Sequence, residues 1–408
     1  MKRPLLIIIG AIFVIILLAV WVYVLLFNTP TANEEEFTDL DFGNDTDVTL
    51  FPAGTDEDGV VNPEPIVNVN GLERLKQLTT EPIAGFGEVA TENIPDAVRY
   101  VQIGTGHIFE IDLETGEEER VSGTTVPGSQ IAAFAGNGES VMIQSGYGAG
   151  ASFTVGVIGT STQDITTAQI FEPIVSFTGT QSGVFLYAAQ TNNSVVGKSY
   201  DPATLVTSTL FTVPFRDATI IWGSEATDTH YAYPKTTALL ESFLYEVQGN
   251  LLTRLPIDGY GMSATGNNEF ILFSKQTDED YQSFTFNKET REIRPHNQTQ
   301  IPEKCVFSTI TLSSSFCANT SINFTDLAPD TWYAGELTFQ DSLYQTFNDV
   351  SRSIVLVDSH DQTQQNIDMT HLSLGAQDAH LYFTNRNDRT LWMYVVTPIS
   401  LLQDADIE

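Results

Sequence analysis

Six histidines are the residues best suited to acid–base chemistry or metal binding, but their spacing favours neither role. They are spread along the chain at His107, His230, His296, His360, His371 and His380. A metal site or a catalytic base needs partner side chains, and no histidine has one at a known motif spacing. The string Ser359-His360-Asp361 contains the residue types of a catalytic triad. Adjacent side chains point in different directions, however, whereas a triad is assembled from distant parts of a fold.

Other chemical motifs are also missing from the sequence. It contains no GxSxG, HExxH or P-loop pattern and no GxGxxG before a helix. The acidic groups Asp41, Asp45, Asp47 and Asp56 to Asp58 lack the glycine and terminal glutamate of a calcium loop. The sequence therefore predicts no catalytic residue, no cofactor and no metal site, and the protein is predicted not to be an enzyme.

Composition restricts the possible partners. The chain has 52 acidic and 18 basic residues, and its formal net charge is −34. Nucleic-acid binding depends on Lys and Arg contacts to phosphates, so the charge argues against a nucleic-acid partner. Two cysteines in 408 residues do not make a disulfide-rich scaffold.

A repeated turn pattern indicates the fold that must position these residues. The segments IDLETG, YDPAT and FNKET place Asp112, Asp201 and Asn287 at equivalent positions, 89 and 86 residues apart. These intervals correspond to two units of about 44 residues each, and a missing unit falls near Gln248. An Asx side chain can bond the backbone two residues on and close a hairpin. Four-stranded sheets repeated at this interval predict an all-β protein with a β-propeller fold.

Seven inner strands, one for each blade, are predicted within residues 71–398. They begin near Pro82, Ile131, Ile174, Ala218, Gly259, Cys305 and Met369. The last blade offers only three strands, around 370–374, 380–384 and 390–397, whereas the strand at 72–80 has no blade before it. We therefore predict that this N-terminal strand closes the last blade, which removes exposed sheet edges. Residues 399–408 are predicted to be a C-terminal tail.

The N-terminal region predicts a membrane anchor. Residues 5–27 are 23 residues without a charge, and as a helix they would span about 34 Å, enough to cross a bilayer. Lys2 and Arg3 precede the stretch, so the positive-inside rule leaves residues 1–4 in the cytoplasm and places the rest outside. A cleaved signal peptide is the alternative, but its apolar region would be shorter. The acidic, proline-containing residues 28–70 are predicted to be a flexible linker.

Blade six is predicted to contain an insertion, residues 318–340, between its second and third strands. The candidate binding residues in and directly after it are Asp330, Trp332, Tyr333, Phe339 and Asp341. Long insertions in repeat proteins usually gather on one face and bind something. Two interpretations remain open: Trp332 and Tyr333 fold back as a plug over the propeller channel, or they form a partner-binding patch.

The insertion is expected to share one rim of the ring with the equivalent loops of other blades. These loops are residues 145–151, 190–194, 235–241, 276–281 and 385–390. The rim combines aromatic and acidic side chains, so a basic or glycan-like ligand suits it better than an anionic one.

Cys305 and Cys317 are predicted to form a disulfide across the first hairpin of blade six. Export through the membrane would place them in an oxidising compartment. Two buried, reduced thiols that face each other across the same hairpin are the alternative.

Several stretches resemble a family of membrane-anchored, WD40-like or TolB-like propeller proteins of candidate-phylum, Patescibacteria-type bacteria. The stretches are LKQLTTEPIAGF (75–86), VRYVQIGTGHIFEIDLETGEEERVSGTTVP (98–127), PEKCVFS (302–308), PDTWYAGELTFQDSLY (329–344) and LYFTNRNDRTLWMY (381–394). The resemblance implies an N-terminal helix followed by a propeller, and it implies no known activity. The segment MIQSGYGAGASFTVGV (142–157) departs from the family pattern.

These features together predict a single-pass protein of the cell membrane with an extracytoplasmic propeller. Its predicted role is a binding or scaffolding module of the cell envelope, tethered to the cytoplasmic membrane by residues 5–27. The predicted partner is an envelope protein or glycan. The alternative is an exported propeller enzyme, a hydrolase or lyase that acts on glycans. Carboxylates, histidines or arginines that converge at the channel mouth would favour the enzyme.

Overall fold

The computed structural model describes residues 74–91, 94–159, 165–278, 280–319 and 329–396. Within these residues, no helix has the length and apolar character needed to cross a membrane. The predicted cytoplasmic residues 1–4, membrane helix 5–27, linker 28–70 and tail 399–408 lie outside the described residues and stay predictions.

The described chain forms seven sheets, each of four antiparallel strands, which confirms the predicted seven-bladed propeller. The first strand, β1 (Leu75–Gln77), belongs to the last blade. Blade one consists of β2 (Ile83–Thr91), β3 (Ile94–Gln102), β4 (Ile108–Asp112) and β5 (Glu118–Arg120). Blade two consists of β6 (Ser129–Ala135), β7 (Ser140–Ser145), β8 (Ser152–Val157) and β9 (Thr166–Ile170). Blade three consists of β10 (Ile174–Gly179), β11 (Phe185–Gln190), β12 (Val195–Asp201) and β13 (Val206–Val213).

The remaining blades follow the same order of strands, called a to d from the centre outwards. Blade four consists of β14 (Ala218–Ile221), β15 (His230–Pro234), β16 (Glu241–Gln248) and β17 (Leu251–Tyr260). Blade five consists of β18 (Ser263–Gly266), β19 (Phe270–Gln276), β20 (Tyr281–Asn287) and β21 (Ile293–Pro295). Blade six consists of β22 (Cys305–Phe307), β23 (Ser314–Asn319), β24 (Ser342–Phe347) and β25 (Arg352–Asp358). Blade seven consists of β26 (Met369–Leu374), β27 (His380–Asn385), β28 (Leu391–Val395) and β1.

In the described part of the chain two short helices lie in connections, α1 (Asp330–Tyr333) within blade six and α2 (Ser359–Thr363) before blade seven. Three 3-10 turns among the same residues cover Gly148–Gly150, Pro302–Lys304 and Ala376–Asp378.

The predicted ring closure is confirmed in the described part of the N-terminal strand. Leu75 in β1 pairs with Tyr394 in β28, and Gln77 pairs with Trp392. The Leu75 side chain is buried. The first described strand therefore supplies the outer strand of the last blade, so that blade seven is built from both ends of the propeller.

One predicted inner strand is misplaced in the sequence analysis. Gly259 lies in β17, the outer strand of blade four, where it pairs with Ser242. The strand pattern continues to Tyr260, and the chain turns only at Gly261, whose φ of 59° is easy for glycine. The inner strand of blade five therefore begins at Ser263.

The repeated Asx positions do close hairpins between strands c and d. The Oδ1 atom of Asp112 accepts a hydrogen bond from the Thr115 amide at 2.7 Å. The equivalent atoms of Asp201 and Asn287 accept from Ala203 at 2.8 Å and from Thr290 at 2.9 Å. The turn chemistry is the reason why the repeat is visible in the sequence.

Apolar clusters lie between neighbouring blades and hold them together. The second strands are covered on both faces, so β11 is a continuous buried run from Phe185 to Ala189. The junction of blades five and six contains the smallest of these clusters in the described chain, formed by Leu272, Cys305 and Cys317. This junction has the least apolar support in the ring.

Hydrogen bonds also link each pair of neighbouring blades on the side where strand a ends. They join Ala90 to Asn137, Gly136 to Thr180, Ser182 to Glu225, Tyr231 to Asn267, Asn267 to Leu312, Thr309 to Asp378 and Tyr382 to Glu88. The bonds run around the whole ring. This side is therefore committed to holding the blades together, which leaves the opposite side as the better candidate for binding.

Candidate functional site

The opposite side of the ring is called here the entry face, because strand a of every blade begins there. In an antiparallel blade the b-to-c and d-to-a connections both lie on this side. Two contacts show that these connections meet: the Ala238 amide donates to the Asp330 carboxylate at 3.0 Å, and Arg386 donates to the Trp332 carbonyl at 2.6 Å. The insertion of blade six therefore touches the equivalent loops of blades four and seven, as the shared rim predicts.

The inward side of the insertion is aromatic. Trp332 is buried and stacks on Phe339, with 6.3 Å between the ring centroids, and both pack against Ile301. The guanidinium of Arg386 lies 4.7 Å from the centre of the Trp332 ring. Three of the five candidate binding residues, Trp332, Phe339 and Asp341, are thus buried. They anchor the insertion on the blades, so any contact with a partner falls to Tyr333 and Asp330.

A buried charge cluster lies beneath the two stacked rings. The Lys304 ammonium lies 2.5 Å from Asp341 and 2.7 Å from Asp368, and 4.7 Å from the centre of the Phe339 ring. Asp368 also accepts hydrogen bonds from the Trp332 indole at 3.3 Å and the Phe339 amide at 3.2 Å. Burial raises the pKa of Asp341 to about 6, an effect that Lys304 opposes. The cluster therefore holds the insertion against the start of blade seven.

A second polar cluster opens at the channel mouth. Glu303 lies two residues before the inner strand of blade six. Its carboxyl accepts a hydrogen bond from the Tyr333 hydroxyl. Ser263, Tyr233 and Tyr281 surround the same carboxyl, and Ser263 lies 3.2 Å from the Tyr281 hydroxyl. Burial raises the pKa of Glu303, and burial also raises that of Tyr333. Water nevertheless reaches 39 % of Tyr333, so the cluster meets the surface at this side chain. These residues are called here the recess.

Sequence reasoning named Tyr333 and Asp330 as binding residues and placed the loop 276–281, which ends at Tyr281, on the same rim. Glu303, Tyr233 and Tyr281 come from three separate blades, so no spacing along the chain could have grouped them. The segment PEKC was the nearest available signal, because it places two charged residues directly before the inner strand of blade six.

Exposed aromatic residues add to the entry face. Four aromatic side chains are exposed in the part of the chain that the structure describes, and all four lie in connections or strand ends on this face. They are Tyr147 (63 %), Phe171 (91 %), Tyr260 (51 %) and Tyr333 (39 %). Exposed aromatics on a single side are typical of a contact surface.

The Ser359-His360-Asp361 string forms the start of α2. Ser359 donates to the Asp341 carbonyl at 2.5 Å, and the His360 and Asp361 amides donate to the Asp358 side chain. The hydroxyl and both amides thus serve to position the helix.

The two cysteines face each other on β22 and β23, with 4.1 Å between their Cα atoms, and the structure joins them by a disulfide. This is the hairpin that the sequence predicts. The bond lies at the junction of blades five and six, where the apolar cluster is small.

A separate cleft of 250 Å³ opens beside blade two. Its polar lining consists of Thr124, Thr125, Ser145, Ser152, Thr154, Thr167 and Gln169. None of the residues that line it is charged or aromatic, so the cleft offers little to fix a ligand.

No protein-family model and no curated protein matches this sequence. Solved structures do match its fold. The oligogalacturonate lyase of Vibrio parahaemolyticus is 10 % identical, with a TM-score of 0.54, over 80 % of this chain and 95 % of that one. The β-propeller domain of the Trilobed protease from Pyrococcus furiosus is 10 % identical, with a TM-score of 0.50, over 76 % and 95 %. TolB from Acinetobacter baumannii is 12 % identical, with a TM-score of 0.39, over 66 % and 62 %.

The Trilobed protease match is to a β-propeller domain, so the expected resemblance holds for the propeller fold. The resemblance to WD40-like or TolB-like proteins in particular stays a prediction. The bacterial group and the membrane anchor stay predictions.

Proposed function

We propose that this protein is a binding or scaffolding module of the cell envelope that uses the entry face of its propeller. The proposal rests above all on the four exposed aromatic residues, which in the described chain all lie on that face. Aromatic side chains supply large contact area at low entropic cost and dominate many protein interfaces. The other side of the ring is occupied by the hydrogen bonds that join the blades.

The charge of the entry face suits a basic or glycan-like partner. Asp330 and Glu303 lie at the channel mouth, and the whole chain carries a net charge of −34. An anionic partner would be repelled by this field, whereas a cationic one would be attracted.

The proposed location is outside the cytoplasmic membrane, with residues 5–27 as a single-pass anchor. This rests on the length of the uncharged stretch and on Lys2 and Arg3 before it. Protease added to intact cells should then remove the propeller, and its protection would reverse the proposed topology.

Site-specific photocrosslinking in cells tests the binding face. A photoreactive amino acid replaces Phe171 or Tyr260 on the entry face. Matched control positions are Leu205 and Leu251, which are 64 % and 63 % exposed and lie in or beside the c-to-d turns on the opposite side. We expect crosslinked products from the entry-face positions only. Equal products from both sets, or products only from Leu205 and Leu251, would reject this face as the binding site.

The alternative function is a glycan-degrading enzyme. It is favoured by one observation, a carboxyl group with a raised pKa that accepts a hydrogen bond from a tyrosine at the channel mouth. One structural neighbour is an oligogalacturonate lyase, but its named substrate is a polyanion that Glu303 and Asp330 would repel. Incubation of the full chain with neutral, amino and acidic glycans tests this function. Degradation that is abolished by Glu303→Gln would establish the enzyme.

A further inference from the structure

The carboxyl of Glu303 has no basic partner, although it is partly buried. Among the described residues, no Lys, Arg or His forms an ion pair with it. The next residue, Lys304, directs its ammonium to Asp341 and Asp368 instead. A partly buried carboxylate is costly unless it is paired, so this position favours an incoming cation.

Tyrosine hydroxyls surround this carboxyl. Tyr333 donates its hydroxyl to it, and Glu303 interacts electrostatically with Tyr233 and Tyr281 as well. The Tyr233 side chain is fully buried, and its hydroxyl makes no hydrogen bond of normal length. A buried hydroxyl without a close hydrogen-bond partner, beside a carboxylate without a basic partner, indicates that the recess is incomplete without a ligand.

We propose that this recess binds the ammonium group of a lysine side chain presented by the partner of the entry face. The inference rests on the proposed function for the partner, whereas the recess rests on its own contacts. Tyrosine hydroxyl oxygens can accept hydrogen bonds from an ammonium group, and the adjacent carboxylate of Glu303 supplies the compensating charge.

The contacts favour an ammonium group over the other ligand classes. In the described residues, no group of three or more His, Cys, Asp or Glu side chains could hold a metal ion. An anion would meet Glu303 together with Asp330, which also acts electrostatically on Tyr281. An amino sugar would bring hydroxyls that need further partners, whereas the methylene stem of lysine matches ring surfaces.

Binding should be linked to proton release. Burial raises the pKa of Glu303 in the free protein, and a cation favours the charged carboxylate. The titratable groups that interact with it are Tyr233, Tyr281 and Tyr333, and Asp330 acts electrostatically on Tyr281. Burial raises the pKa of all three tyrosines, so they stay protonated at neutral pH. The affinity is therefore expected to rise with pH through the titration of Glu303.

Calorimetry on the full chain in detergent micelles tests the proposal. The probe is Nα-acetyl-lysine methylamide, and its uncharged counterpart is Nα-acetyl-norleucine methylamide. We expect saturable binding of the lysine probe and at least about ten-fold weaker binding of norleucine, which corresponds to the loss of one charge-assisted contact. Binding should also release protons, which appears as a dependence of the measured heat on the buffer.

Variants separate the recess from the rest of the face. Glu303→Gln should weaken binding of the lysine probe about ten-fold, and Tyr333→Leu should weaken it as well. The control Glu336→Gln changes an exposed acid in the same insertion and should have no effect. Thermal unfolding of each variant shows whether it is folded. If Glu303→Gln does not fold, Tyr333→Leu provides the test.

Equal affinity of the parent and a folded Glu303→Gln variant, or equal affinity for lysine and norleucine probes, would overturn the proposal. Tighter binding of glucosamine than of the lysine probe would overturn the assignment to lysine. The photocrosslinking result is interpreted separately. Crosslinks at Phe171 without lysine binding would reject only this inference. Lysine binding without crosslinks would reject only the proposed interface.

Discussion

The ammonium of Lys304 lies 2.7 Å from a carboxylate oxygen of Asp368, and the two side chains are 2 % and 0 % exposed. The same ammonium lies 2.5 Å from Asp341, whose side chain is also 0 % exposed. One lysine therefore serves two buried acids, and it holds together the Pro302–Lys304 turn, the end of the insertion and the start of blade seven. Arg386 adds a more distant positive charge, 3.9 Å from Asp368.

Replacing Lys304 by Met should destabilise the propeller strongly. The change keeps the length of the side chain but leaves two buried carboxylates without their ammonium, which costs about 3 to 5 kcal/mol in comparable sites. The free energy of unfolding in denaturant measures the effect. The control is Lys198→Met, which removes a pair with Glu172 whose side chains are 22 % and 30 % exposed, and it should cost about 1 kcal/mol or less. Similar losses in both variants would contradict the structural role of Lys304.

Trp332 and Tyr333 should behave differently although they are adjacent. Trp332→Ala removes a buried ring that packs on Phe339 and Ile301 and should cost about 3 to 5 kcal/mol of stability. Tyr333→Phe keeps the ring and removes only the hydroxyl that donates to Glu303, so it should cost less, about 1 to 2 kcal/mol. Chemical denaturation of both variants decides whether Trp332 is an anchor. A Trp332→Ala variant as stable as the parent would show that the ring is dispensable for the fold.

His296 should make the protein less stable in acid. Burial lowers its pKa from 6.5 to about 4, so between these values only the unfolded chain binds the proton. Stability is therefore lost as the pH falls through this window, by about 3 kcal/mol for a shift of this size. Asp341 acts in the opposite direction, because its pKa is raised to about 6.

The comparison that isolates His296 is the difference in unfolding free energy between the parent and His296→Gln at each pH. As the pH falls from 6.5 toward 4, the parent should lose more unfolding free energy than the variant. A difference that does not change with pH would contradict a buried, neutral His296.

Removing the disulfide should loosen the junction of blades five and six. Cys305→Ala with Cys317→Ala gives up the cross-link of a 13-residue loop, worth about 3 kcal/mol in the chain-entropy model. The loss of stability should be measurable, because Leu272 is the remaining buried apolar residue of that cluster. Unfolding in denaturant with and without reductant measures it, and the double variant should not respond to reductant. Two free thiols in the native, unreduced protein would end the disulfide prediction.

The closing strand should contribute to the stability of the whole ring. Leu75 is buried between blade seven and its neighbours, in the same cluster as Trp392 and Tyr394. Leu75→Ala should therefore cost about 2 to 5 kcal/mol, whereas Lys76→Ala on the same strand should cost about 0.5 kcal/mol or less. Thermal unfolding compares the two variants. Equal melting temperatures would show that the ring does not depend on this strand.

The sequence by itself determined the number of blades and the closing strand, and it placed the two cysteines opposite each other across one hairpin. Each of these follows from local chemistry: Asx residues such as Asp112 and Asp201 close short hairpins, and strand alternation repeats with the blade. The strand alternation continues without a break through Gly259, so the predicted start of the inner strand of blade five was wrong by four residues.

Only the tertiary structure decided what the side chains of the insertion do. Trp332 is aromatic and lies in a loop, which is compatible with either a plug or a contact surface, and its direction depends on Asp368, 36 residues further along the chain. Glu303 and Tyr233 are neighbours only because successive blades bring strand starts to one channel mouth. Contacts of this kind depend on how blades pack side by side, and no spacing along the chain encodes them.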